Sequence, residues 1–226
     1  MQFRVSKSNQ NFWIMVFSFY ILFSFTQSSL LSAQEIGKWN IGLNAEYSQP
    51  VGGLSEWFKP APTYSIAVGN QYNSNWIIEG IFEYTNFEEE NAGSYIKNNV
   101  ELSLQHYGIV INGKYRLIEM NPVKLFFNVG AGIYNWEGVR GEIQADSTST
   151  PYVPHIDEKK LAETNWSFRS GIGIEIKPVT AFSVEFLAYY RFIVGDLWPT
   201  LQPRIELEEV SGFQTLNLSM GIRYFF

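Results

Sequence analysis

The chain has two histidines, His106 and His155, and no cysteine, which narrows the chemistry open to it. Without Cys there is no disulfide, thiolate metal site, Cys nucleophile or lipid-modified N-terminal Cys. A His-based metal site would need carboxylates brought from elsewhere, because the two imidazoles stand alone. His106 lies in LQHYG (104–108) and shares its parity with Gly108, Val110 and Asn112, which points it inward from a strand. A hydrolytic Ser–His pair needs a nearby Ser on the same face, and His106 lacks one, so it is expected to be an interior hydrogen-bonding residue. His155, in PYVPHIDEKK (151–160), reads as an exposed loop residue.

The acidic run Glu88, Glu89 and Glu90 beside Asn91 could offer oxygens to Ca²⁺, but it has no spaced Asp and Gly pattern, so a solvated loop tip is expected. GAG at 130–132 and GIG at 171–173 fall inside strand-like patterns, where Gly makes space rather than a phosphate cradle. No catalytic, cofactor-binding or metal-ligating residue is therefore assigned. There is no internal repeat at solenoid spacing.

The elements carrying these residues are strands. Arg4 and Lys7 precede an apolar run from Phe12 to Phe25 and then TQSSLLSAQ, the layout of a signal peptide over 1–33 cleaved after Ala33, leaving a mature domain over 34–226 that starts at Gln34. Removing Arg4 and Lys7 from 16 bases set against 22 acids takes the formal charge from −6 to −8, a poor balance for binding nucleic acid. From Lys38 onward apolar residues recur at every second place, and no stretch keeps a capped helical period. Eight strands are predicted, over 38–48, 63–72, 76–87, 102–117, 123–136, 165–177, 182–194 and 213–226. Short connections (73–75, 118–122, 177–181) alternate with long ones (49–62, 88–101, 137–164, 195–212). An up-and-down meander then has all its tight turns at one end and all its long loops at the other.

Each strand has an apolar, aromatic face and a face of charge, amide and Gly. The alternation is compatible with a soluble sheet as well as a membrane barrel, including a lipocalin-like barrel whose apolar face lines a cavity. Two features favour the membrane. Trp39, Tyr72, Trp76, Tyr115, Phe182, Tyr224 and Phe226 fall near the short-turn end, whereas Tyr47, Tyr64, Tyr84, Tyr107, Trp166 and Tyr190 fall towards the long-loop end, as two interfacial girdles would. The aromatic content, 17% of the chain, exceeds what a soluble core of this size needs. The polar face also carries Glu46, Glu79, Glu83, Glu175 and Glu185 against Lys38, Lys114, Arg116, Lys124, Arg169, Lys177, Arg191 and Arg223, a set that can neutralise itself inside a narrow lumen. Inward glycines such as Gly42, Gly108 and Gly173 leave room for long Arg and Tyr side chains to cross it. The expected fold is an all-β, eight-stranded antiparallel transmembrane β-barrel.

This pattern resembles the small eight-stranded bacterial outer-membrane barrels, the family of the outer membrane protein A transmembrane domain and outer membrane protein X. The ending LNLSMGIRYFF carries the most specific part of the likeness, since Leu218, Met220, Ile222, Tyr224 and Phe226 match the alternating, Phe-terminated last strand of such barrels. The resemblance implies location in the outer membrane, contact with its lipid and lipopolysaccharide, and recognition of those five residues by the barrel-assembly machinery. With no peptidoglycan-binding domain after Phe226, a barrel alone is expected. The implied role is structural, adhesive or surface-interacting, without cofactor or catalysis, exercised through loops 137–164 and 195–212. Those loops hold Val153, Ile156, Leu197, Trp198, Pro199 and Pro203 as contact candidates for an extracellular ligand. The alternatives are a narrow passive transporter or small-ligand-binding barrel, and a lipid A-modifying enzyme that would depend on His106.

Overall fold

A computed structural model describes residues 37–88, 102–142, 144–145, 155, 157–197 and 210–226. The strands are β1 (Trp39–Val51), β2 (Ala61–Gln71), β3 (Trp76–Glu88), β4 (Leu102–Met120), β5 (Val123–Arg140), β6 (Lys159–Val179), β7 (Phe182–Leu197) and β8 (Val210–Phe225), with a short 3₁₀ helix at Gly52–Glu56. They close in chain order into one antiparallel barrel, and β8 seals against β1 from Asn40↔Phe225 to Val51↔Gln214. Closure removes both free edges, as a sheet surrounded by lipid requires. The last strand is thus half of the closing seam.

Strand order and number match the expectation, while several boundaries differ. β6 begins at Lys159 rather than 165, and β1, β5, β7 and β8 also run further at the long-loop end, whereas β4 starts at Leu102 as expected and is longer at its short-turn end. Over 159–164 polar residues fall on both faces and the period-two signal fades, yet the backbone ladder continues to Arg140↔Lys159. The expected turn at 118–122 is tighter than its composition suggests. Ile118 to Met120 stay in β4, leaving Asn121 and Pro122 as the turn, and a bulge between Arg116 and Ile118 lets Leu117 and Ile118 both face outward. At the β2–β3 turn Asn73 Oδ1 accepts bonds from the backbone N–H groups of Asn75 (2.9 Å) and Trp76 (2.8 Å), which is why an Asn-rich tripeptide suffices there.

The apolar face points outward and the charged face inward, which overturns the lipocalin-like alternative. Ile41, Leu43, Ile66, Phe82, Ile109, Ile111, Phe168, Ile172 and Leu218 are exposed, whereas Glu83, Asn112 and Arg191 are fully enclosed. The aromatic residues form the two expected rings. Tyr64, Tyr84 and Tyr107 are directly paired across β2, β3 and β4 at the long-loop end. At the other end Trp76 and Tyr115 lie 5.1 Å apart, and Phe182 and Tyr224 lie 5.0 Å apart.

Candidate functional site

The interior is built in layers. Next to the short turns, Arg116 and Lys124 converge on Glu119, at 2.9 and 3.2 Å. Glu119 lies in the stretch expected to be a turn, so its part in pairing these bases was not legible. It becomes interior because the bulge restores register and sets it opposite Lys124.

One step further in, Lys114 Nζ lies 2.7 and 2.5 Å from the two oxygens of Glu185 and 3.2 Å from Glu79. Arg223 donates to Glu185 (2.8 Å), Glu79 and Asn40. Above this, Glu83 accepts bonds from Tyr134, Arg169 and Arg191, and Glu46 from Ser65 (3.0 Å) and Tyr189. Each of the two layers brings two carboxylates against two bases, so burial leaves no net formal charge. Asn112 links them, donating to Glu79 (3.3 Å) and accepting from Arg169 (3.2 Å). The space remaining between the layers is a cavity of about 10 Å³ lined by Glu46, Glu79 and Lys114, room for a single water.

The long-loop end of the lumen is apolar. Leu54 and Phe58, from the first loop, turn down into the mouth and pack with Phe87, Leu104, Trp136, Ile193 and Phe213. Trp136 meets Phe213 edge-on at 4.9 Å, and its Nε1–H donates to Asn165 Oδ1 at 2.5 Å. The segment is fastened by Lys59, whose N–H donates to the Glu88 carbonyl (3.1 Å) and whose amine lies 2.9 Å from the Glu88 carboxylate. The side-chain hydrogen bond from the Lys59 amine, together with its charge, holds the Glu88 carboxyl below the usual carboxylate range. Phe87, Leu104, Trp136 and Phe213 share the inward parity of the buried charges, so the alternation carried the signal. Leu54 and Phe58 have no period to read.

His106 points inward as expected, and its ring packs among aromatic side chains. Its ring lies between Phe87 (5.6 Å) and Tyr134 (5.4 Å), and Nδ1 has no hydrogen-bond partner. It is part of the aromatic packing beneath the apolar cap. His155 is exposed, with Nε2 3.2 Å from Asp157 and Nδ1 3.6 Å from Glu142. Among the described residues no three His, Cys, Asp or Glu side chains are grouped to hold a metal. Glu89, Glu90 and Asn91, and Val153, Ile156, Trp198, Pro199 and Pro203 in the two candidate contact loops, lie outside the described residues, as does the side chain of Leu197.

A family model for the outer membrane protein beta-barrel domain matches residues 17–223. The chain belongs to this family. Its strands accordingly cross the bacterial outer membrane, with the short turns periplasmic and the long loops extracellular. Among solved structures, Neisserial surface protein A is similar with a TM-score of 0.50 at 14% identity, over 83% of this chain and 97% of that one. A major outer membrane protein from Thermus thermophilus is similar at 0.51 and 10% identity, over 83% and 99%. At these identities the likeness is one of fold. No curated protein matches the sequence.

Proposed function

We propose that this outer-membrane barrel is non-enzymatic, with a side-chain-filled lumen, and acts as a structural and surface-interaction protein through its extracellular loops 137–164 and 195–212. The observation that carries this reading is the filling of the bore. Among the described residues two charge-balanced layers and an apolar cap occupy the bore, and the cavities between the layers and beside Arg116 and Lys124 hold about 10 Å³ each. His106 supports the absence of catalysis, because its ring is enclosed by Phe87, Tyr134 and the cap, out of reach of an outer-leaflet lipid. The reading includes export through a peptide cleaved after Ala33, and assembly through Leu218, Met220, Ile222, Tyr224 and Phe226.

Planar-bilayer recording of the purified protein tests the central point. The expected result is no steady conductance, and a stable open pore would favour the narrow-transporter reading instead. Replacing His106 by Ala is expected to leave the host's lipid A profile unchanged by mass spectrometry. N-terminal sequencing of the outer-membrane form is expected to begin at Gln34, and a chain still carrying Met1 would refute cleavage.

A further inference from the structure

On six of the eight strands the outer surface changes character at the extracellular girdle, whereas on β7 the outward face stays apolar through Phe192 and Val194. Two residues beyond the last apolar, lipid-facing side chain stand Gln49 on β1, Asn86 on β3, Gln105 on β4, Asn135 on β5, Thr164 on β6 and Gln214 on β8. They lie on the outward face: Asn86, Gln105 and Thr164 are exposed, and the other three are half-buried. Asn86 sits directly opposite Gln105, and Asn135 opposite Thr164. The group is a belt of neutral hydrogen-bonding side chains on the extracellular side of the exposed rings of Tyr47, Tyr84, Tyr107, Trp166 and Tyr190.

Basic side chains are missing from that belt. Among the described residues no Lys or Arg faces outward along the strands from the periplasmic girdle up to the belt. Lys160, well beyond Trp166, is the outward base on the strands, and its amine lies 3.4 Å from Glu158. The nearest outward charges on the strands are carboxylates, Glu88 opposite Ser103 and Glu137 opposite Gln105, and Glu88 is paired at 2.9 Å with Lys59 of the first loop. Surfaces that hold phosphorylated lipid headgroups do so with clustered Lys and Arg, and carboxylates oppose them. Amides and hydroxyls beside ring faces suit a different headgroup, one that is uncharged and rich in hydroxyls. Each amide offers two donors and an acceptor. Internal bonds, Asn135 Nδ2 to Thr164 Oγ1 at 3.1 Å and Tyr190 O–H to Gln214 Oε1 at 2.8 Å, orient the belt while leaving much of that capacity for a ligand.

We infer that the belt is a binding surface for the sugar headgroups of uncharged glycolipids in the outer leaflet, selecting them over phosphorylated lipids. The test uses the full chain in phosphatidylcholine nanodiscs doped with equal amounts of monoglucosyl diacylglycerol and lipid A, in EDTA, with native mass spectrometry counting retained lipids. The expected result is roughly tenfold preferential retention of the glucosyl lipid, the factor that one or two net hydrogen bonds supply. The Q105L/N135L variant should lose this preference while still shifting its electrophoretic mobility on boiling, and N86K/Q105K should move retention towards lipid A. Preferential retention of lipid A by the unaltered protein, no enrichment of the glucosyl lipid over phosphatidylcholine, or a preference that survives Q105L/N135L would each overturn the inference.

Discussion

A Cβ placed on Gly108 would sit 2.5 Å from Cδ1 of Tyr134, a buried ring that in turn donates to Glu83. The ring cannot yield without disturbing that bond, so Gly108→Ala is expected to lower the unfolding free energy, measured by urea titration in lipid vesicles, by about 1–3 kcal/mol. Glu83 is the more sensitive position. Changing it to Gln removes the carboxylate on which Arg169 and Arg191 converge, leaving two enclosed guanidinium groups against Glu46, and should cost about 3–5 kcal/mol in the same unfolding measurement. Glu88→Gln removes an ion pair that stands in water, and no measurable change in the midpoint is expected. Parity alone told that Glu83 faces inward. Its partners were not legible, because Arg191 stands 108 positions away and is brought close only by the bore.

Among the elements, the first extracellular loop departs most from its expected character. Its composition, QPVGGLSEWFKPAP (49–62), suggested an open loop, whereas the 3₁₀ turn at Gly52–Glu56 lowers Leu54 and Phe58 into the mouth. Gly52 permits this entry with a φ of 63°, which is strained for residues with a Cβ. Phe58→Ala is expected to cost about 3–5 kcal/mol by leaving a void in the cap. In a variant retaining Trp136 as its single tryptophan, the same change should make the emission quenchable by acrylamide. Continued protection would mean that the cap closes without Phe58. The strands themselves were legible wherever lipid lies outside and side chains fill the inside, since those conditions enforce the alternation. Their extracellular extensions were not, because in water the ladder is held by backbone bonds that leave no hydropathic trace.

For the whole molecule, closure makes the barrel a single cooperative unit, so the unheated protein should migrate differently from the boiled one in electrophoresis and should need detergent for extraction. Release by osmotic shock as a soluble protein would contradict this. The sequence by itself determined that there are eight strands, that they meander, which connections are short, and where the two aromatic rings fall, because each depends on local spacing. The inward placement of the charged face was decided by the tertiary structure. Alternation is the same whether the apolar face lines a cavity or meets lipid. Only closure of eight strands, with β8 against β1, makes an interior narrow enough for Glu83 to reach Arg169 and Arg191 and for Glu79 and Glu185 to meet Lys114 and Arg223. The apolar cap likewise required the fold, since Leu54 joins Phe213 only when the first loop and the last strand share one mouth.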